Sequence, residues 1–324
     1  LTIADRAYFM EKGEVRYSGP TADLLERGDI MRSVFLESAA TSTVTVTERQ
    51  PAPPADSGFV LEASEISVAF GGVRAVNEVS FELRHREILG LIGPNGAGKT
   101  TVFDLVSGFL VPSHGSVLFQ GVDITGLSPA ARGQRGLGRS FQDARIFASM
   151  TVAENIAVAL ERHLPVRDHL ASALWLPDVT VVERHIAWAV SDLIELLNLG
   201  DYRDSFVREL STGSRRIVDL AMALAYDPTV LLLDEPSSGI SQKEAESLGP
   251  LLLRIREETG CAMLLIEHDM PLITSVSDRL LALELGAVVA VGTPDEVIND
   301  PRVIASYLGS DEATIHRSRA PVPA

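Results

Sequence analysis

Short, unbroken apolar runs recur along the chain: Glu87-Ile-Leu-Gly-Leu-Ile92, Thr229-Val-Leu-Leu-Leu233 and Ala262-Met-Leu-Leu-Ile266. Runs of this length without polar alternation predict strands buried on both faces, the pattern of a parallel sheet. Longer segments carry their apolar residues at helical spacing instead. Ile186, Val190, Leu193 and Leu197 fall on one helical face, and Thr100 to Gly108 reads as a helix after a glycine-rich loop. Thr151 and Glu154 form a capping box ahead of Ile156 and Leu160, so another helix starts there. Strand, glycine loop, helix, and then helical material before the next strand predict an α/β domain with a helical insertion. No run approaches the about 18 apolar residues of a membrane span, because the best are broken by Asp219 and Asp227 or by Glu284 and Gly286.

The chain also repeats part of itself. Asp5, Arg6, Glu11, Gly13, Val15 and Gly19 recur in the same order and at a constant offset as Asp278, Arg279, Glu284, Gly286, Val288 and Gly292. After one single-residue slip, Phe35-Leu36 lines up with Tyr307-Leu308. Two strand-turn-strand-helix pieces can match by chance, but the shared order and offset favour a duplicated segment. Residues 1–38 are therefore expected to repeat the end of the main domain, and that domain to span 59–310. Between them, residues 39–58, rich in Ser, Thr, Pro and Ala, read as a linker, and 311–324 as a flexible tail. The opening Leu-Thr-Ile-Ala-Asp-Arg has neither a Met nor a signal-peptide pattern, which suggests a truncation.

Composition narrows the function classes. The 324 residues are 46% apolar and 22% charged, a globular mixture. A formal net charge of −16 opposes a polyphosphate partner, so no nucleic-acid footprint is expected. Cys261 is the only cysteine and sits in an apolar run, which excludes an intrachain disulfide or a cysteine metal cage and suits a reducing compartment.

The chemistry starts at Gly93-Pro94-Asn95-Gly96-Ala97-Gly98-Lys99-Thr100, followed by Thr101. Glycines spaced this way let backbone N–H groups wrap phosphates at a helix N-terminus, with Lys99 reaching the β- and γ-phosphates and the Thr100 hydroxyl ligating Mg²⁺. Val230-Leu-Leu-Leu-Asp234-Glu235 ends a strand in two carboxylates at the sheet edge, where open α/β sheets bind ligands. Asp234 is expected to hold Mg²⁺, and Glu235, pointing elsewhere because side chains alternate, to deprotonate an attacking water. An Asp-Glu pair alone can be an ordinary solvated pair, though less often than a site; beside a phosphate loop it defines a P-loop NTPase.

Further motifs resemble those of ABC ATPases. Leu210-Ser-Thr-Gly-Ser-Arg-Arg216 is similar to the family signature, whose counterparts of Ser211 and Gly213 face the γ-phosphate on a second cassette. Gln142 in Arg139-Ser-Phe-Gln-Asp143 matches the glutamine that senses Mg²⁺ and water, and His268 in Ile266-Glu-His-Asp269 the switch histidine that contacts the γ-phosphate. Phe70 stands where the family stacks an aromatic ring on adenine. Each of these types is more often structural than functional when met singly; their order around the phosphate loop reverses that. Two departures stand out: Thr212 and Ser214 in the signature, and Ser238-Gly-Ile-Ser241, which lacks the frequent aspartate after the carboxylates. Ser214 loses the reach of Gln, so the nucleotide facing this signature is expected to be held or turned over less well than the one at Lys99.

Phe70-Gly-Gly-Val-Arg-Ala-Val76, Arg139-Ser-Phe-Gln-Asp-Ala-Arg-Ile-Phe147, Met150-Thr-Val-Ala-Glu-Asn155 and Val291-Gly-Thr-Pro294 narrow the resemblance to the ATPases of branched-chain amino-acid importers, the Liv type. That resemblance implies an ABC cassette built from a RecA-like mixed sheet core, an antiparallel β subdomain and an α-helical signature subdomain. It also implies Mg·ATP hydrolysis, two permease subunits, an extracytoplasmic substrate-binding protein and a place at the cytoplasmic face of a bacterial membrane. The long segment from Glu161 to Glu183 suits this family. Residues 1–38 look like the tail of its companion ATPase, which implies two cassettes fused in tandem. Phe147, Met150 and Val152 are candidates either for a groove receiving a permease helix or for plain core. Related urea, amide and lipopolysaccharide systems remain alternatives, as does a degenerate cassette that binds ATP without turning it over.

Overall fold

The computed structural model describes residues 6–11, 14–20, 58–140, 146–161 and 177–308. From the N-terminus, β1 (Arg6–Glu11) and β2 (Glu14–Pro20) form one hairpin, and β3 (Phe59–Phe70) and β4 (Val73–Arg84) a longer one. Next come β5 (Ile88–Ile92), α1 (Lys99–Ser107), β6 (His114–Phe119), β7 (Val122–Asp123), α2 (Pro129–Gln134) and β8 (Leu137–Arg139). The helical insertion holds α3 (Val152–Leu160), α4 (Pro177–Leu196) and α5 (Thr212–Leu224). The chain then runs through β9 (Val230–Asp234), α6 (Gln242–Thr259), β10 (Ala262–Ile266), α7 (Met270–Val276), β11 (Arg279–Glu284), β12 (Ala287–Gly292), α8 (Pro294–Ile298) and α9 (Pro301–Leu308).

Six strands form the central sheet in the order β12-β11-β5-β10-β9-β8, parallel throughout except for the antiparallel edge strand β12. The unbroken apolar runs are explained by its two faces. Ile88, Leu231, Leu233, Met263 and Leu265 enter a core shared with α3 to α7, whereas Leu89, Leu91, Val230, Leu232 and Leu264 enter a second core. That second core is completed by α1 and by an antiparallel four-stranded sheet ordered β4-β3-β6-β7. A strand buried on both sides has no polar alternation to display, because every residue leaves water. Each fully buried Leu or Ile contributes about 1.5–3 kcal/mol, so the two cores lock the sheet between them.

The helical face anticipated in the insertion is real: Val190 and Leu197 are buried, with Ile186 and Leu193 packed against the same core. Thr151 caps α3 by the reciprocal bonds its sequence promised, accepting from Glu154 N at 3.2 Å while Thr151 N donates to Glu154 Oε2 at 2.8 Å. Val152 is fully buried and belongs to the core, which removes it from any docking groove; Phe147 is exposed and Met150 half-buried. Most of the segment from Glu161 to Glu183, the linker apart from Gly58, and the tail lie outside the described residues.

β1 and β2 stand as a separate two-stranded sheet. Their pairing copies that of β11 and β12. Ala7 opposes Gly19 as Leu280 opposes Gly292, Phe9 opposes Tyr17 as Ala282 opposes Ala290, and Met10 opposes Val15 as Leu283 opposes Val288. The register shifts once in each hairpin, between Phe9 and Met10 and between Ala282 and Leu283. A bulge fixes the twist and direction of a strand pair, so the repeat extends from sequence to backbone geometry.

Candidate nucleotide and hydrolysis site

The phosphate loop leaves the end of β5 and closes on the start of α1, the edge where open α/β sheets gather ligands. Its shape needs glycine at both ends. Gly93 and Gly98 have φ of 150° and 100°, and a Cβ at either would run into a backbone carbonyl, of Leu283 or Ala75 respectively. Between them Asn95 and Gly96 are exposed and Ala97 is buried, with Pro94 half-buried. Helices α2, α3, α5, α6, α7 and α8 each begin with a side chain capping their first N–H groups, whereas Gly98 offers α1 none, and its first turn carries no acid. The N–H groups of Lys99, Thr100 and Thr101 are thus left for an anion, which the helix dipole favours.

Lys99 is 7% exposed, and its ammonium donates to the carbonyls of Gly93 at 2.7 Å and Pro94 at 3.1 Å. Burial pulls its pKa below the ordinary lysine value, against the opposing pull of Glu235 and Asp234. That opposition shows that the loop and the two carboxylates share one electrostatic neighbourhood, although more than a hundred residues separate them in sequence.

Asp234 ends β9, 6% exposed. Burial raises its pKa, and the Arg139 guanidinium is the main influence in the other direction. Parallel pairing of β8 with β9 delivers Arg139 to this place, its Nη2 at 3.6 Å from Asp234 Oδ2 and its Nη1 at 2.7 Å from both Asp104 Oδ1 and Ser107 Oγ. Glu235 follows with a positive φ of 48°, a costly conformation for a side-chain-bearing residue, held by its N–H bond to Ile266 O at 2.9 Å. Its Oε1 lies 2.7 Å from His268 Nε2. Glu235 and His268 therefore meet directly, each just past the end of a neighbouring parallel strand.

Beneath them, Glu267 is 2% exposed and accepts bonds from Ser237 N (2.7 Å), Ser237 Oγ (2.8 Å), His268 N (3.0 Å) and Asp269 N (3.4 Å). One buried carboxylate thus ties the loop after β9 to the loop carrying His268. In the signature, Ser211 caps α5 by accepting from Ser214 N at 3.1 Å and donates to Glu244 Oε1 at 2.8 Å. Glu244 also packs over Gly213, where a Cβ would collide with its carboxylate. Phe70 sits at the tip of the β3–β4 hairpin, half exposed beside the Gly71-Gly72 turn. Gln142 lies outside the described residues.

Arg139, Glu267 and Glu244 carry contacts that the sequence did not mark. Arg139 and Glu267 stand inside quoted motifs, but only strand pairing shows what they touch. Glu244 had a readable signal, the capping pattern from Ser241, without any hint that its other oxygen reaches Ser211.

A glycine loop opening onto an uncapped helix, two strand-end carboxylates beside its lysine, and a histidine on the second carboxylate make up an ABC-type ATP-binding cassette. The sequence pattern described as ABC transporter matches residues 76–238, and that described as branched-chain amino acid ATP-binding cassette transporter matches 287–313. The chain belongs to the ABC transporter ATP-binding family and is its ATP-hydrolysing kind of subunit. It is 37% identical over 250 residues to the high-affinity branched-chain amino acid transport ATP-binding protein BraF of Pseudomonas aeruginosa, covering 77% of this chain and 98% of that protein. Identity is 38% over 251 residues to LivG of Salmonella typhimurium, with the same coverage, and 34% over 250 residues to the lipopolysaccharide export system ATP-binding protein LptB of Haemophilus influenzae, covering 77% and 97%. A nucleotide-free ATP-binding cassette from an ABC transporter superposes with a TM-score of 0.66 at 28% identity, covering 78% of this chain and all of that one.

Proposed function

We propose that this chain powers the uptake of branched-chain amino acids, binding Mg·ATP at Gly93–Thr101 and hydrolysing it with Glu235 as general base. The close pair of Glu235 and His268 at 2.7 Å carries the chemistry. A carboxylate held by an imidazole is oriented to take a proton from water, and His268 Nε2 remains beside the place where the γ-phosphate departs. Lys99, desolvated and now resting on loop carbonyls, moves its charge onto the phosphates. Phe70 stacks on adenine, and Gln142, assigned by its motif alone, serves the metal and water.

Thr100 and Asp234 supply hard oxygen donors, the set that suits Mg²⁺ when substrate phosphates and water provide the rest. Bound there, Mg²⁺ offsets the charge of the β- and γ-phosphates. Ser211 and Gly213 serve the nucleotide of a second cassette, so ATP joins two cassettes and hydrolysis lets them part. The partners are two permease subunits at the cytoplasmic face of a bacterial membrane and, through them, an extracytoplasmic substrate-binding protein. Exposed Phe147 and half-buried Met150 are the positions for permease contact.

The match of residues 287–313 to the branched-chain pattern favours this cargo over the lipopolysaccharide system. The identical register and bulge of the two hairpins support reading residues 1–38 as the tail of a preceding cassette fused to this one. Reconstitution with the permeases and binding protein encoded beside the gene tests the cargo: ATP-dependent accumulation of labelled leucine, isoleucine or valine is expected. Transport of another solute with none of these would refute it. On the native membrane, an antibody against residues 59–310 should detect a polypeptide long enough for two cassettes.

A further inference from the structure

The phosphate loop is gripped by a part of the chain outside all of its motifs. Gly93 N–H donates to the Tyr307 hydroxyl at 2.7 Å, across 214 residues of sequence, while Gly93 O accepts from Lys99 Nζ. At the other end of the loop, Gly286 N–H, in the turn between β11 and β12, donates to Ala97 O at 3.0 Å. The Leu283 carbonyl and the Gly286 Cα close the space beside Gly93 and Gly98. Both ends of the loop therefore lean on the last hairpin and on α9. Tyr307 is half-buried, and burial pushes its pKa up to about 12, so the hydroxyl stays neutral throughout the physiological range.

We propose that Tyr307 is a positioning residue for the nucleotide: through its hydroxyl, α9 fixes the N–H of Gly93, the first residue of the phosphate loop, on whose carbonyl the Lys99 ammonium rests. Phosphate recognition by successive backbone N–H groups needs the loop held in shape before the ligand arrives, because reorganisation on binding subtracts from affinity. A buried N–H deprived of its acceptor must find another by shifting the peptide that carries it. At the matching place in the sequence repeat stands Phe35, which has no hydroxyl.

The inference rests on reading Gly93–Thr101 as the phosphate loop, and the test separates the two. The full chain and its variants are titrated with Mg·ATP by calorimetry, and hydrogen–deuterium exchange of the peptide spanning Gly93 is followed without nucleotide. Tyr307→Phe should weaken binding by about five- to tenfold and speed exchange at Gly93 while leaving β10 unchanged. Ser306→Ala removes a neighbouring hydroxyl that bonds within the helix, to Val303 O at 2.7 Å, and should bind as the wild type does. Unchanged affinity and exchange in Tyr307→Phe would overturn the proposal. Equal weakening in Ser306→Ala would overturn it too, by tracing the effect to helix packing. If Lys99→Ala abolishes binding and Tyr307→Phe leaves it unchanged, only the positioning role falls; if Lys99→Ala binds normally, the loop reading falls with it.

Discussion

The side chains that do chemistry here are held by neighbours that do none. Glu235 is fixed by a strained backbone and by His268, so Glu235→Gln should keep Mg·ATP binding and lose hydrolysis by about 10²- to 10⁴-fold, read as phosphate release beside an ATP titration. Loss of binding in that variant would make Glu235 a ligand contact instead. Asp234 is buried against Arg139, with both side chains under a tenth exposed. Removing one partner of such a pair strands the other charge, at a cost of about 3–5 kcal/mol. Arg139→Met should therefore lower unfolding stability by an amount of that order, measured by urea denaturation; a change within experimental scatter would show that Asp234 does not depend on it.

At the scale of elements, the site is a set of strand ends brought level by parallel pairing. β9 pairs with β10 so that Asp234 lies opposite Ile266, which sets Glu235 beside His268 one and two residues further on. Glu267 then bolts the two loops together. Burial, its largest influence, raises the Glu267 carboxyl above the ordinary 4.5, against hydrogen bonds from Ser237, Asp269 and His268. A carboxyl with a raised folded pKa favours the fold below its unfolded pKa, and that contribution is lost as pH rises through the folded value. The stability difference between wild type and Glu267→Gln should accordingly shift in favour of the variant as pH is raised from 4.5. Urea unfolding at several pH values measures it, and a flat difference contradicts it.

For the whole molecule, two cores organise the cassette around its central sheet, and the first hairpin forms its own two-stranded sheet. An isolated hairpin is marginal in water, so β1 and β2 need a sheet to join. If the chain pairs with a second cassette as proposed, adding that cassette should tighten Mg·ATP binding at Lys99 and raise hydrolysis, because the partner's signature would then contact this nucleotide. In the pair proposed above, replacing the two phosphate-loop lysines separately should impair hydrolysis unequally, because Ser214 stands where a longer glutamine is commonest. Equal losses would remove that asymmetry.

Local chemistry was legible without coordinates wherever a few adjacent residues suffice. The glycine loop, the apolar runs, the Thr151 capping box and the acids at the end of β9 each carry their reason in neighbouring positions. The repeat of residues 5–19 was equally plain, whereas the bulge that the two hairpins share came from the structure. Contacts across the sheet were not legible, because strand order is decided by how two apolar faces are covered at once. Only folding brings Arg139 to Asp234, Glu244 to Ser211 and Tyr307 to Gly93, and only burial decides that Val152 is core while Phe147 meets solvent.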